Sequence, residues 1–237
     1  MVAGVGDNKN IITASKNVDF EVILTEFGDE LVELLLNGSA DGAIRGSLSS
    51  RNIMHRLEEK YPQRPRASFM DLNGHKLLLA PVGIDDVENL NEKVLLIEKG
   101  CQFLKSIGIK PKVGVVSAGR EADVGRNKVV DTLMEECVLL TSMITGKSID
   151  VKHYYGIIDE AIKETNFIIT SDGNCGNHVF RVMALLCGVK SYGAITFGMD
   201  EIYIDTTRSQ TIEGFTIALN LANYLAEKKE KNKLIYK

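Results

Sequence analysis

Residues 167–177 read Phe167-Ile168-Ile169-Thr170-Ser171-Asp172-Gly173-Asn174-Cys175-Gly176-Asn177. An apolar run of strand length, Phe167–Thr170, passes directly into a turn rich in small and hydroxyl-bearing residues. Helical periodicity then runs over Gly176–Leu186. A buried strand followed by a tight turn and a helix is the unit of a sheet whose strands are joined by helical crossovers. The two glycines let backbone come close to a neighbour or a ligand. Ser171, Asp172 and Asn174 carry oxygens able to cap the helix. The first N–H groups of a helix have no intrahelical acceptor, and the dipole makes that end partly positive. The turn therefore offers either a capped helix start or a seat for an anion, most often phosphate.

Outward from this stretch the alternation continues. Strand-like runs fall at Val2–Val5, Phe20–Leu24, Gly42–Ile44, Lys112–Val116 and Gly193–Phe197. Helical spacing covers Asn8–Lys16, Glu30–Leu36, Ser50–Glu59, Glu92–Lys105, Arg126–Glu136, Tyr154–Glu164 and Thr211–Lys229. Asn37-Gly38 and Tyr61-Pro62 supply helix stops. Asn73-Gly74, between Ser68–Leu72 and Leu77–Ala80, predicts a two-residue hairpin. The pattern predicts an α/β fold with a parallel or mixed sheet and helices on both faces. In such sheets ligands bind at the carboxyl ends of the strands, so the loops after strands are the places to search.

Bulk composition removes several classes of function. The net charge of −4 gives no basic face for nucleic acid. The lysine run Lys228, Lys229, Lys231, Lys233 and Lys237 is interrupted by Glu227 and Glu230 and reads as a solvated helix end and tail. Cys101, Cys137, Cys175 and Cys187 form no CxxC pair, and His55, His75, His153 and His178 form no HExxH. Neither a disulfide framework nor a metal site is expected. No apolar stretch reaches the roughly 18 residues of a membrane span. The N-terminus lacks a basic start followed by an apolar run, so a cytoplasmic location is expected.

Four loops could carry chemistry. Beside 170–177, Ser117-Ala118-Gly119-Arg120 follows a strand and leads to Gly125-Arg126. Arg45-Gly46-Ser47-Leu48-Ser49-Ser50-Arg51 follows another, with Arg56 further along the next helix. Asp205-Thr206-Thr207-Arg208-Ser209 precedes the last helix, where Ser209 or Thr211 could serve as N-cap with Glu213 in the first turn. Three of the four contain arginine, a residue suited to phosphate or carboxylate. The set points to a small anionic ligand, against the alternative of capped turns and solvated charges. No GxxxxGK[ST] is present, and Gly4-Val5-Gly6 continues as Asp7-Asn8-Lys9 without the third glycine of a dinucleotide fingerprint. Neither an S-adenosylmethionine glycine motif nor a corrinoid-type motif is found.

At these residues the chain resembles the superfamily of phosphotransacetylases, phosphotransbutyrylases and acyl-ACP:phosphate acyltransferases. Ala40-Asp41-Gly42, Gly46 and Ser49-Ser50 are similar to its Ala-Asp-Gly…Gly…Thr-Thr stretch, and Arg56 falls where those enzymes carry arginine. Lys110-Pro111-Lys112-Val113 with Ser117 resembles its Pro-Lys-Val-Ala-x-Leu-Ser strand. Asn174-Cys175-Gly176-Asn177 matches its Gly-Asn turn, and Asp205-Thr206-Thr207-Arg208 its Asp-Leu-Ser-Arg segment. The ordered set spans Gly38 to the last helix. The whole sequence is also similar to the methanogen marker family labelled methyltransferase subunit X.

The resemblance implies two α/β/α lobes of the isocitrate and isopropylmalate dehydrogenase-like kind. One would hold residues 1–63 and 194–237, the other 64–193, with a ligand cleft between them, in a homodimer. It implies a transferase binding phosphate or an acyl carrier such as coenzyme A, without metal. Thioester attack would need arginines for the anion and donors for the oxyanion. Catalytic roles would fall to Arg208, Thr207 and Glu213. Ligand contacts would fall to Ser49, Ser50, Arg56, Ser117, Arg120, Asn174, Gly176 and Asn177. The family's catalytic aspartate falls at Gly214 here, with Glu213 adjacent and turned by about 100° on a helix. The methyltransferase label implies an archaeal setting in methanogenesis and methyltransferase subunits as partners.

Overall fold

The computed structural model describes residues 1–83, 86, 87 and 89–232, with no side-chain description beyond residue 230. Lys233 and Lys237 of the C-terminal run lie outside it. The chain divides into two compact units, residues 1–64 with 190–237, and residues 65–189.

In the first unit five strands lie in the order β2 (Ile23–Thr25), β1 (Val2–Gly4), β3 (Gly42–Ile44), β10 (Ile202–Asp205) and β9 (Lys190–Thr196). All neighbours are parallel except the antiparallel pair β10–β9. Both faces of the central strands are covered, which is why they read as unbroken apolar runs. On one face α2 (Gly28–Leu36) and α3 (Ser50–Lys60) bury Leu31, Val32, Leu35, Ile53 and Leu57 against Val2, Ala43 and Tyr203. Each such side chain contributes about 1.5–3 kcal/mol by leaving water. Asp29 and Glu30 sit in the first turn of α2, favourable to its dipole, and Gly38, with φ +79°, follows its end. The other face carries α1 (Asn10–Ala14) and α8 (Ile212–Asn232), whose Phe215, Leu219, Ala222 and Leu225 are buried.

In the second unit the order is β4 (Arg66–Leu72), β5 (His75–Ala80), β8 (Phe167–Ile169), β6 (Val113–Val115) and β7 (Val151–His153). β4 and β5 form the expected hairpin. Asn73 and Gly74 take φ +53° and +92°, the paired positive values of a type I′ turn. From β5 on, the neighbours are parallel. One face is covered by α6 (Ile158–Glu164) and α7 (Gly173–Arg181), with Ala161 and Phe180 packed on Leu77, Leu79 and Ile168. The opposite face is covered by α4 (Leu90–Ser106) and α5 (Lys128–Thr145). There Phe103 meets Phe69 edge-on at 5.4 Å. Gly100 leaves room for the Phe167 ring, which a Cβ would meet at 2.3 Å.

Several boundaries differ from the sequence reading. β7 and β10 arise from segments not read as strands. α6 starts at Ile158 rather than Tyr154, because Tyr155 takes a left-handed φ of +52°. α7 starts at Gly173 rather than Gly176 and runs into a π turn at Val182–Leu186. α5 continues to Thr145, nine residues past Glu136. No helix among the described residues is long and apolar enough to cross a membrane.

Candidate functional site

Because β1, β3 and β10 are parallel neighbours, the loops that follow them share one edge of the first unit. Arg45, 7% exposed, organises that edge. Its guanidinium donates to the Asp205 carboxylate, to the Thr206 carbonyl, and to the Leu48 carbonyl at 2.6 Å. A buried charge is tolerable only when paired and hydrogen-bonded in this way. Thr206 Oγ1 donates to the Gly46 carbonyl at 2.8 Å. Ser47 Oγ accepts from Gly6 N at 3.0 Å and donates to the Asn8 carbonyl at 3.0 Å. Asn8 Nδ2 then donates to the carbonyls of Arg208 (2.9 Å) and Gln210 (2.8 Å). The segment 206–210 is thus held from both sides.

On this frame Thr207 is half-buried and Arg208 exposed. Among the described residues the Arg208 guanidinium makes no hydrogen bond or ion pair. Ser49 is the N-cap of α3 with no side-chain cap bond, and Ser50 is half-buried. Arg56 lies further along α3 and pairs with Asp29 at 3.0 Å; exposed as both are, the pair adds little stability. Glu213 is exposed in the first turn of α8 and pairs with nothing among the described residues. Gly214 is packed on Gln210, whose side chain a Cβ would meet at 2.2 Å. A side chain at this position would require the end of the Gln210 side chain to move. Thr211, a residue raised as a possible cap, accepts from Gly214 N at 3.0 Å.

In the second unit the loops after β5, β6, β7 and β8 share the carboxyl edge. Asp172 Oδ1 accepts from Asn174 N (2.8 Å) and Cys175 N (2.9 Å), so α7 is capped by its own carboxylate. That arrangement satisfies the donors an anion would use and places a negative charge beside them. Gly176 lies against the Pro81 carbonyl, which a Cβ would approach to 1.9 Å. Asn177 Nδ2 donates to the Val82 carbonyl at 3.2 Å. Gly176 and Asn177 therefore bind α7 to the turn after β5, while Asn174 is exposed. Replacing Asp172 by alanine is expected to cost about 1–2 kcal/mol in chemical denaturation, and by asparagine at most about 0.5 kcal/mol. Equal losses would show that charge, rather than the cap, matters.

Ser117 is buried after β6, and Arg120 is exposed two residues beyond Ala118. Ser117 Oγ lies 3.0 Å from His153 Nε2 at the end of β7. Burial holds the His153 pKa below its ordinary value, and burial first, then the Asp172 charge, pushes the Cys175 thiol up. Sequence reasoning passed over His153, Asn8 and Lys93. Lys93 is buried in α4 and donates to the Ser171 carbonyl at 2.7 Å.

No family model matches the sequence. In fold, the chain is similar to a branched-chain phosphotransacylase from Enterococcus faecalis, with TM-score 0.67, 12% identity, and coverage of 97% of this chain and 100% of that one. It is equally similar to a phosphotransacetylase from Streptococcus pyogenes, with TM-score 0.67, 15% identity, and coverage of 97% and 94%. Likeness at this identity shows the fold alone. In sequence, the chain is 36% identical to a Methanosarcina barkeri protein named "Putative methyltransferase mtx subunit X", over 92% of this chain and 82% of that one. It is 39% identical to a protein of Methanocaldococcus jannaschii named as an uncharacterized methyltransferase, over 91% and 93%. With identity of this level along nearly the whole of both chains, this protein belongs to the methyltransferase mtx subunit X family.

Proposed function

We propose that this protein is a transferase that binds a phosphate-bearing ligand at the carboxyl edge of its first unit. The ligand would be inorganic phosphate, an acyl phosphate or the phosphates of coenzyme A. The observation that supports this most is Arg208, an exposed guanidinium without a partner among the described residues, on a segment held by Arg45, Asn8 and Thr206. A cation presented from a fixed backbone gives up little entropy on binding, and a bidentate arginine–phosphate contact is among the stronger polar interactions. Candidate hydroxyl donors are Thr207, next to Arg208 in the chain, and Ser49 and Ser50, which follow the neighbouring strand β3. Arg56 is a weaker candidate, since Asp29 already neutralises it.

Titration calorimetry with inorganic phosphate and with coenzyme A tests the reading. Arg208→Ala is expected to weaken binding about 10- to 100-fold, the loss of one charge-assisted hydrogen-bond set, with an unchanged circular dichroism spectrum. Glu213→Gln is expected to leave affinity within about twofold. Unchanged affinity in Arg208→Ala counts against the site. The relatives' names favour a second reading, a subunit of a methyltransferase assembly that retains the fold for ligand sensing. Turnover of acetyl phosphate plus coenzyme A distinguishes the two. If turnover occurs, a loss of at least about a hundredfold in Glu213→Gln would assign that carboxylate as general base.

A further inference from the structure

We infer that Ser117 and His153 form a nucleophile–base pair that takes up an activated acyl group; the inference rests on the acyl-transfer reading above. Sequence separation gives no hint of it, since the two residues are 36 apart. Adjacent parallel strands bring them together: Ser117 stands two residues past β6, and His153 is the last residue of β7. Ser117 N donates to the Tyr155 carbonyl at 2.8 Å, which fixes the serine against the turn after β7. The imidazole packs on the Tyr155 ring at 4.3 Å between centroids, and Tyr155 itself holds a left-handed φ of +52°.

The distance of 3.0 Å between Ser117 Oγ and His153 Nε2 is that of a nucleophile and its base. The serine hydroxyl donates to the Gly119 carbonyl at 3.3 Å, and it can turn to the imidazole when Nε2 carries no proton. Burial disfavours the imidazolium and holds the His153 pKa below its ordinary value, which favours the neutral form of the ring. The backbone N–H groups of Ala118 and Gly119, directly after the serine, have no hydrogen bond among the described residues. Donors at that position are available to a developing oxyanion. The loop lies at the carboxyl edge of the sheet, where α/β folds carry ligands.

The substrate class is a small acyl group activated as a thioester or an acyl phosphate. As the Ser117 Oγ–carbon bond forms, the hydroxyl proton passes to His153 Nε2. The carbon–sulfur or carbon–oxygen bond to the leaving group breaks, and the departing thiolate or phosphate takes that proton from His153, leaving the imidazole neutral. The acyl-serine then passes its acyl group to a thiol, phosphate or water. His153 takes the proton of the acceptor thiol, hydrogenphosphate or water and delivers it to Ser117 Oγ as the acyl–serine bond breaks. No electrons are exchanged with a further reagent.

The test uses the full chain with acetyl phosphate and acetyl coenzyme A in separate arms, which distinguish the two donors, and a fluorophosphonate, which reports a nucleophilic serine whatever the donor. Peptide mapping by mass spectrometry is expected to place one adduct per chain on Ser117. His153→Gln is expected to slow labelling about a hundredfold without altering phosphate affinity. Labelling that is absent from Ser117 with all three reagents, or equally fast in His153→Gln, overturns the inference. Should Ser117→Ala fail to fold, the position of the wild-type adduct decides. Phosphate binding that depends on Arg208 while Ser117 stays unlabelled would sink this inference and leave the binding site standing.

Discussion

Replacing Arg45 with alanine is expected to cost the protein about 3–5 kcal/mol of stability, the loss seen when one partner of a buried ion pair is removed. The side chains of Arg45 and Asp205 are only 9% and 15% exposed. Without the guanidinium, the Asp205 carboxylate loses its arginine partner in a poorly solvated place. The carbonyls of Leu48 and Thr206 also lose their donor. For a chain of this size each kcal/mol lowers the midpoint of thermal unfolding by about 2–4 °C, so the fall should be on the order of 10 °C. Arg45→Lys should recover only part of it, because one ammonium cannot serve three acceptors in the geometry of a planar fork. The double variant Arg45→Met, Asp205→Asn should be more stable than Arg45→Ala, since it removes both charges of the pair together. A loss below about 1 kcal/mol in Arg45→Ala would show that water reaches Asp205. In that case the arginine would not be what fixes the segment carrying Arg208.

Arg45 also shows where sequence reasoning stops. In the sequence it sits beside Gly46, Ser47 and Ser49, and the reading that suits that company is a ligand arginine. Its burial depends on Asp205, 160 residues away, and on a strand that carried too little signal. β10 is Ile202-Tyr203-Ile204-Asp205, three apolar residues between acidic neighbours, and β7 is three residues at a sheet edge with Lys152 exposed. Strands this short lack the length from which a period can be read. By contrast Gly42–Ile44, Phe167–Ile169 and the Asn73-Gly74 hairpin are legible because burial on both faces, or a turn that needs positive φ, restricts composition. The candidate loops were legible as loops at strand ends. The difference between Arg208, which is unpaired among the described residues, and Arg56, which meets Asp29, was not. That difference rests on α2 and α3 packing side by side, which brings together residues 27 apart. The same holds for Asp172. Its residue type announces a cap, but whether the cap displaces an anion is decided by where the carboxylate turns.

Gly46→Ala is expected to be the most damaging single methyl added to the first unit, with a loss above about 4 kcal/mol or failure to accumulate as folded protein. Two costs coincide. Gly46 holds φ +62°, a left-handed value that costs a residue with a Cβ roughly 1–2 kcal/mol. A Cβ there would also lie 1.7 Å from the Gly4 carbonyl oxygen. The obstructing atom is backbone of β1, fixed by parallel pairing to both β2 and β3, so no rotamer change relieves it. Reciprocally, a Cβ on Gly4 would lie 2.3 Å from the Arg45 carbonyl, so the two strand ends meet without side chains between them. Gly38 provides the control, because it takes φ +79° with nothing within 4 Å of an added Cβ. Gly38→Ala therefore isolates the backbone cost, expected at about 1–2 kcal/mol. The difference between the two variants, measured by urea denaturation, reports the clash alone. If Gly46→Ala matches Gly38→Ala, then β1 and β3 can part at their carboxyl ends, and the loop bearing Ser47, Ser49 and Ser50 is not held where the proposed ligand site requires it.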